Sequence, residues 1–492
     1  RPAAEMRLIR AALANPEEEQ PYLDYADWLD GRGDPYAEFL RLSLQMEPLA
    51  EGDKFRKRFE DRLHDLGEKH GAKWLRGLTE LGLFPGMDPD NDPSLYEYSF
   101  DPLFWFGAKG VIDQLAIRDG TFVFHTDPAR LFAAAPFLRE LTVFYPGVSV
   151  AELAAIPQAA QLDALYLTGV NGTDDDFQRF ADTGHFAGLK SLGLTYCGIS
   201  PEQAQILGRA RWLPQLTGLC LNLDAVGDHS AALTAVPGCA NLEWVRLDNI
   251  DLTDAGLTAL CRSPHLTKLS NIDLEGNAFT AAGTRALAAA AFAPALCDLN
   301  IRNCRLDGPA IRALAECAFP ELRMLNVSEH AGDDDAMRAL IGSPFFRGVM
   351  SFGACNSALG AGTVDALVGA GSLSLVHLAL AGNRLGPRAV AALVRSKVAS
   401  KLKSLSLSRN PIGTDGVRAL TETDLPALES LDLGHIRLDR EAVQALARAP
   451  WRKQLQTLVV SRECVSERGQ ELLTDRFGKE VLDVIDGDEG DE

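Results

Sequence analysis

The chain has 492 residues, 46% hydrophobic and 24% charged, and its 48 basic against 68 acidic side chains give a formal charge of −20 at pH 7. That length and apolar content can bury a sizeable core, whereas the acidic balance excludes a nucleic-acid binder, which needs a basic face to neutralise phosphates, and favours basic partners. The most apolar run, Ala286 to Leu296, is short, alanine-rich and broken by Pro294, so no membrane span is expected.

The first region, residues 1–80, reads as a small helical domain. Met6, Ile9 and Leu13 share a face at helical spacing, and Asn15-Pro16 ends that helix. A second carries Leu23, Ala26 and Leu29 and stops at Gly31-Arg32-Gly33. Asp34 as N-cap and Pro35 at the first position start a third, through Phe39, Leu42 and Met46. A fourth turns Phe55, Phe59, Leu63 and Leu66 to the core, leaving Lys54, Arg56, Lys57 and Arg58 as a solvated edge. Between Asn15 and Glu38 eight acids face one base, Arg32, without a histidine. An ion-pair network of Asp27, Arg32 and Glu38 is preferred to a catalytic or metal centre.

Residues 81–111 read as a linker and capping segment. Asp88, Asp90 and Asp92 have calcium-loop spacing, but Pro93 stands where the loop needs Gly and Ser99 where it needs a bidentate Glu. Phe104 to Asp119, with Gly110-Val111-Ile112, is expected to form the first capping strand.

From Ile112 an LxxLxL pattern returns every 24 to 27 residues, marked by Leu138, Leu162, Leu189, Leu216, Leu242, Leu269, Leu296, Leu322, Val349, Leu375, Leu402, Leu428 and Leu455. That is about fourteen units over residues 112–480, a period in the leucine-rich-repeat range. Alternation at Leu378 and Leu380 makes a short strand, and Val390, Leu393 and Val394 share one face of the helix that follows. Neither element can bury its apolar side alone, so the units must stack. Asn277, Asn383 and Asn410, with Cys197 and Cys304 at the same offset, sit where the chain leaves the strand and are read as bonding unpaired backbone groups.

The runs Asp174 to Asp176 and, after His330, Asp333 to Asp335 precede helices and are read as caps, not metal ligands. No GxSxG, HExxH or P-loop pattern is present. Nine cysteines without a CxxC pair fit reduced thiols in the cytoplasm, and Cys464 alone stands apart from the ladder as a thiol to test. Residues 481–492, holding Asp483, Asp486, Asp488, Glu489, Asp491 and Glu492, are expected to be a disordered acidic tail. The chain starts at Arg1 rather than Met, which leaves room for a removed leader, although nothing from Pro2 to Ala14 resembles a signal peptide.

The repeats resemble the leucine-rich-repeat superfamily, and their variable halves, as in Thr253-Asp254-Ala255-Gly256-Leu257 and Gly386-Pro387-Arg388-Ala389-Val390, are similar to its ribonuclease-inhibitor-like and cysteine-containing types. Asp24 to Leu42, with its YADWL, RGDP and EF segments, resembles the bacterial repeat-companion domain, departing from it at Gly31 and at Tyr36-Ala37; Arg476-Phe477-Gly478 extends that resemblance. The likeness implies an α/β leucine-rich-repeat horseshoe solenoid, parallel strands concave and helices convex, preceded by a small all-α domain.

In LxxLxL the two close-spaced leucines point inward, so the third, fifth and seventh positions face the concave side. The expected partner-binding residues there are Trp244, Arg246 and Asp248, then Asp273 and Glu275 beside Asn271, then Asp298 and Arg302 beside Asn300, with Phe144, Tyr166 and Tyr196 upstream and Tyr145 alongside. Downstream the face turns small, at Ser351, Gly353, Ala379 and Ser404. A monomeric, non-enzymatic protein-protein interaction scaffold follows, its protein partner basic, with no cofactor, metal, nucleic acid or membrane. The bland reading is that Arg246 with Asp273, and Glu275 with Arg302, neutralise each other across the sheet. An alternative is an enzyme or effector whose repeats select substrate while the N-terminal helices or Cys464 carry activity. A narrower one is an acidic inhibitor of a basic enzyme, by analogy with ribonuclease inhibitor.

Overall fold

The structure is a computed structural model and describes residues 1–50, 53–83, 106–117, 128–145, 147–222, 226–229 and 236–486. The expectations for Asp88, Asp90, Asp92 and for Asp488, Glu489, Asp491 and Glu492 lie outside the described residues. Two compact units emerge, Arg1–Gly198 with Arg209–Cys220, and Ile199–Gly208 with Leu221–Glu492.

In the first unit, helices α1 (Ala3–Ala14), α2 (Gln20–Asp30), α3 (Tyr36–Met46), α4 (Lys54–Trp74) and α5 (Arg76–Thr79) form the N-terminal region. Their faces bury Ile9 and Ala12, Tyr22, Ala26 and Leu29, Phe39 and Leu44, Leu63 and Leu66. Phe55, expected in the core, is 49% exposed and sits in the first turn of α4. Asp34 accepts from the Tyr36 N–H at 3.1 Å, so it caps α3 although the helix begins one residue later than expected. Asp27 and Glu38 are ion-paired, but to Arg41 and Arg62; Arg32 instead lies over the Trp28 ring.

The helical region is not free-standing. Ile9, Tyr22, Tyr25, Ala37 and Leu40 share one core with Val111 of the loop before the first strand and Phe137 of the repeats, and the Tyr25 and Phe137 rings meet edge-on at 5.3 Å. The Tyr36 hydroxyl donates to Gly110 O at 2.8 Å. Gly110 has φ +71°, and a Cβ there would stand 2.6 Å from Ser43 Oγ, so only glycine lets this loop approach α3. Phe106 to Ile112 thus form a loop, and among the described residues the first strand is Gln114–Ile117; Phe104 and Asp119 lie outside them.

Strands β1 (Gln114–Ile117), β2 (Glu140–Phe144), β3 (Ala164–Thr168) and β4 (Ser191–Thr195) lie parallel in chain order, with Gln114 opposite Glu140, Glu140 opposite Ala164 and Ala164 opposite Ser191. Strand β5 is Gly218–Asn222. The second unit continues the pattern in β6 (Trp244–Arg246), β7 (Asn271–Asp273), β8 (Asp298–Asn300), β9 (Met324–Asn326), β10 (Ser351–Gly353), β11 (His377–Ala379), β12 (Ser404–Ser406), β13 (Ser430–Asp432), β14 (Thr457–Ser461) and β15 (Leu482–Ile485), again parallel and each beside the next. Leu378, Leu380, Val390, Leu393 and Val394 are all buried, so strand and helix of one repeat close on a common apolar layer. Each such side chain contributes about 1.5–3 kcal/mol when fully buried. The fold is an α/β leucine-rich-repeat solenoid with an N-terminal helical region.

β15 corrects the reading of a disordered tail over Leu482–Ile485, while residues 487–492 lie outside the described residues. Leu458 pairs with Leu482 and Ser461 with Ile485. Within Leu482-Asp483-Val484-Ile485 the period-2 alternation survives among the acids, and β14 supplies the backbone partners.

The polar ladder behaves as expected and is longer. Asn277 Nδ2 donates to Leu247 O at 2.8 Å and Leu274 O at 2.7 Å, while its Oδ1 accepts from Leu252 N–H at 2.9 Å, tying one repeat to the one before. Asn383 and Asn410 repeat this, and Cys304 Sγ reaches Leu274 O at 3.0 Å. His330 and Ser357 hold the same rung: His330 Nδ1 lies 2.7 Å from Val327 O, and His330 N–H donates to Ser357 Oγ at 3.3 Å.

A second ladder joins the helices. Asp228 accepts from the Thr253 N–H at 2.8 Å and hydroxyl at 2.7 Å; Asp254 does the same for Thr280 at 2.8 and 2.5 Å. Asp334 takes Gly360 N–H at 3.0 Å and the Thr363 hydroxyl at 2.6 Å. Asp333 and Asp176 cap their own helices, as expected; Asp334 instead caps the next one. The first helical residue of one repeat lies close enough to the N-cap of the following helix to satisfy its orphan donors.

Candidate functional site

The expected partner-binding residues fall into two groups, one in each unit. In the first, Phe144, Tyr145 and Tyr196 are exposed, the last two by 60% and 55%, while Tyr166 is half-buried. Tyr145 and Tyr196 occupy the same position of their repeats, just past the strand, with φ of 51° and 52°. Tyr196 therefore leaves by the turn and does not stand in the row of Phe144. The rings lie flat on their neighbours: a Cβ on Gly169 would meet Tyr145 Cδ1 at 2.4 Å, and one on Gly193 would meet Tyr166 Cδ1 at 2.4 Å. Large aromatics fit here because the adjacent strand has no side chain at the opposing position.

In the second unit, β6 to β9 set Trp244, Asn271, Asp298 and Met324 in one row and Arg246, Asp273, Asn300 and Asn326 in the next. Arg246 Nε lies 3.2 Å from Asp248 Oδ1 and 3.5 Å from Asp273 Oδ2. Asp248 was expected to face the open side but is only 7% exposed, since the chain turns inward just after Leu247. Its Oδ1 has no hydrogen bond, so the contact with Arg246 is an ion pair whose N–H points off the oxygen. Asn300 Nδ2 donates to Asp273 Oδ1 at 2.9 Å and to Glu275 Oε2 at 3.1 Å. Arg302 spans Glu275 at 3.6 Å and Glu329 at 2.5 Å.

The cross-sheet neutralisation read from sequence is thus present, but incomplete. Glu329, which sequence reasoning missed because it sits on the turn position, joins the cluster; five carboxylates then face two guanidiniums. Asp298 has no ion-pair partner among the described residues. Burial, and then the Asp273 charge, hold the Asp298 carboxyl above its ordinary range; burial does the same to Asp273, with Asp248 adding to it. A cation brought close would favour the charged form of both. Below them the floor drops to Gly353, Ala379 and Ser406, making a groove of about 620 Å³ along the open face of the sheet.

The other candidates separate by the same criteria. Cys464 is half-buried, and burial and Glu463 raise its thiol pKa, the reverse of what a nucleophilic thiolate needs. Burial pushes Cys239, Cys261, Cys304 and Cys317 up to about 12. Among the described residues no three His, Cys, Asp or Glu side chains are grouped to hold a metal, and no helix is long and apolar enough to cross a membrane.

Residues 398–420 match the family model described as Leucine Rich repeat. No curated protein matches the chain. Among solved structures, a chain of the yeast Rad7–Elc1 complex is 16% identical, with TM-score 0.45, over 88% of this chain and 96% of that one. An internalin, InlF from Listeria monocytogenes, is 16% identical, with TM-score 0.33, over 65% of this chain and 86% of that one. The ectodomain of the Arabidopsis thaliana receptor kinase GASSHO1/SCHENGEN3, solved with Casparian strip integrity factor 2, is 15% identical, with TM-score 0.32, over 72% of this chain and 45% of that one. Repeat spacing and parallel ladder agree with the matched unit on the fold, that of a leucine-rich-repeat solenoid.

Proposed function

We propose that the chain is a non-enzymatic scaffold that binds a basic segment of a partner protein on the open face of β6 to β9. The observation that carries this reading is Asp298: a half-buried carboxylate with no ion-pair partner among the described residues, flanked by Asn271 and Met324 and one strand from the Arg246–Asp273 pair. A lysine or arginine from a partner supplies the missing charge, and Trp244 offers an aromatic face in the same row, two strands away. The acidic surplus also speeds encounter with a basic surface.

The test is affinity capture from the native host with the wild-type chain, with Trp244→Ala combined with Asp298→Lys, and with Ser404→Lys. The double variant leaves every ion pair of the cluster intact, so it is expected to lose the partner without a change in melting, and Ser404→Lys to keep it. Full retention by the double variant would move the site off this face.

A further inference from the structure

A second concavity lies wholly within the first unit, where α2, α3 and α4 meet the loop before β1 and the helix Pro128–Ala134. It encloses about 340 Å³, in the range of small-molecule sites. Its walls are aromatic: Tyr25 stacks on Trp28 at 6.0 Å, Tyr36 meets Trp74 at 5.0 Å and Phe106 at 5.9 Å, and Phe137 closes the side toward the repeats.

Two features of this cavity are unexplained by packing. Trp74 Nε1 is buried and has no hydrogen-bond acceptor among the described residues. The second is charge. Arg32 lays its guanidinium 3.7 Å from the Trp28 ring centroid and gives one N–H to Trp28 O, but no carboxylate lies within ion-pair range of it among the described residues. Lys73 Nζ is 3.7 Å from Asp34 Oδ2, too far for a hydrogen bond, and Asp34 Oδ1 is already taken by Tyr36 N–H. Glu5 is engaged by Arg1 and by the Tyr25 hydroxyl at 3.2 Å. In a chain of net charge −20, Lys73 and Asp34 pair with each other and Glu5 is taken, which leaves two donors around this cavity, the Trp74 indole N–H and the Arg32 guanidinium. A guanidinium stacked on an indole keeps its outer N–H edge free, which suits a planar anion.

We propose that this cavity binds a small aromatic carboxylate, its ring among the Trp28, Tyr36 and Trp74 faces and its anion accepting from the Trp74 indole N–H and Arg32. Ring and charge are both required, because the walls supply flat apolar surface and the donors want an acceptor.

The full chain labelled with 5-fluorotryptophan gives one fluorine line for each of its six tryptophans, and Trp74→Phe identifies the Trp74 line. Phenylacetate is expected to shift that line saturably, while phenylacetamide, which lacks the charge, and acetate, which lacks the ring, bind at least about tenfold more weakly. By calorimetry Arg32→Gln and Trp74→Phe are each expected to weaken phenylacetate about tenfold with melting unchanged. Arg32→Gln alters an exposed side chain and so keeps the test available if Trp74→Phe folds poorly. No saturable shift up to about 10 mM phenylacetate, equal binding of the amide, or undiminished affinity in Arg32→Gln would overturn the proposal.

Discussion

Asp254, the first residue of one repeat's helix, accepts from the N–H and hydroxyl of Thr280, the N-cap of the next, and from the Gly283 N–H at 3.0 Å. A Cβ on Gly283 would stand 2.3 Å from Asp254 Oδ1. The carboxylate and the missing side chain therefore depend on each other.

Asp254→Ala is expected to cost about 1–2 kcal/mol, a charge-assisted cap discounted for its partial exposure. Gly283→Ala alone should cost about 1–3 kcal/mol by overpacking against the carboxylate. In the Asp254→Ala background the same change should lose most of that cost, because alanine is the better helix former. Urea denaturation of the four-member cycle checks this; additive effects would mean the two residues are not coupled.

His330 replaces asparagine on a buried rung. Burial lowers its pKa below the ordinary histidine value, and its Nε2 has no partner. An unfolded histidine titrates near about 6.5, so the neutral folded form contributes fully above that pH, and the contribution falls as pH drops toward the lowered folded value. Asp333, whose charge favours the protonated ring, limits the shift without reversing it. His330→Asn should restore the two-sided hydrogen bonding of Asn277 and should be more stable than wild type at pH 5 by a wider margin than at pH 7.5. Chemical denaturation at the two pH values measures the margins; equal margins would show that His330 does not titrate with folding.

Removing Leu375 to Lys401 excises one whole 27-residue repeat, β11 and its helix included, and brings Asn410 to the rung of Asn383. The shortened chain should fold. It also sets Arg409 in place of Gly382, where a Cβ would stand 1.7 Å from Asn356 Oδ1, so adding Arg409→Gly should raise its melting temperature. Removing Leu375 to Pro387 takes the strand and leaves the helix, and should not fold. Circular dichroism and thermal melting decide; equal behaviour of the two deletions would place the repeat boundary elsewhere.

The sequence alone determined the repeat, its phase and the inward leucines, because side-chain alternation over three residues is a local property of strand geometry. It likewise placed Asn277, Asn383 and Asn410, and the face carrying Trp244, Arg246 and Asp273. The tertiary structure decided everything that depends on a neighbour one repeat away or farther. It paired Asp27 with Arg41 and Glu38 with Arg62, bound Arg302 to Glu329, turned Asp248 inward and Tyr196 outward, and made a strand of Leu482–Ile485. Only through-space packing could bring Tyr22 and Tyr25 onto Phe137, or leave Asp298 without an ion pair and the Trp74 indole N–H without an acceptor among the described residues. An ion pair or an orphaned donor is a relation between residues distant along the chain, and a periodic pattern read within one repeat does not encode which of several equivalent neighbours will be reached.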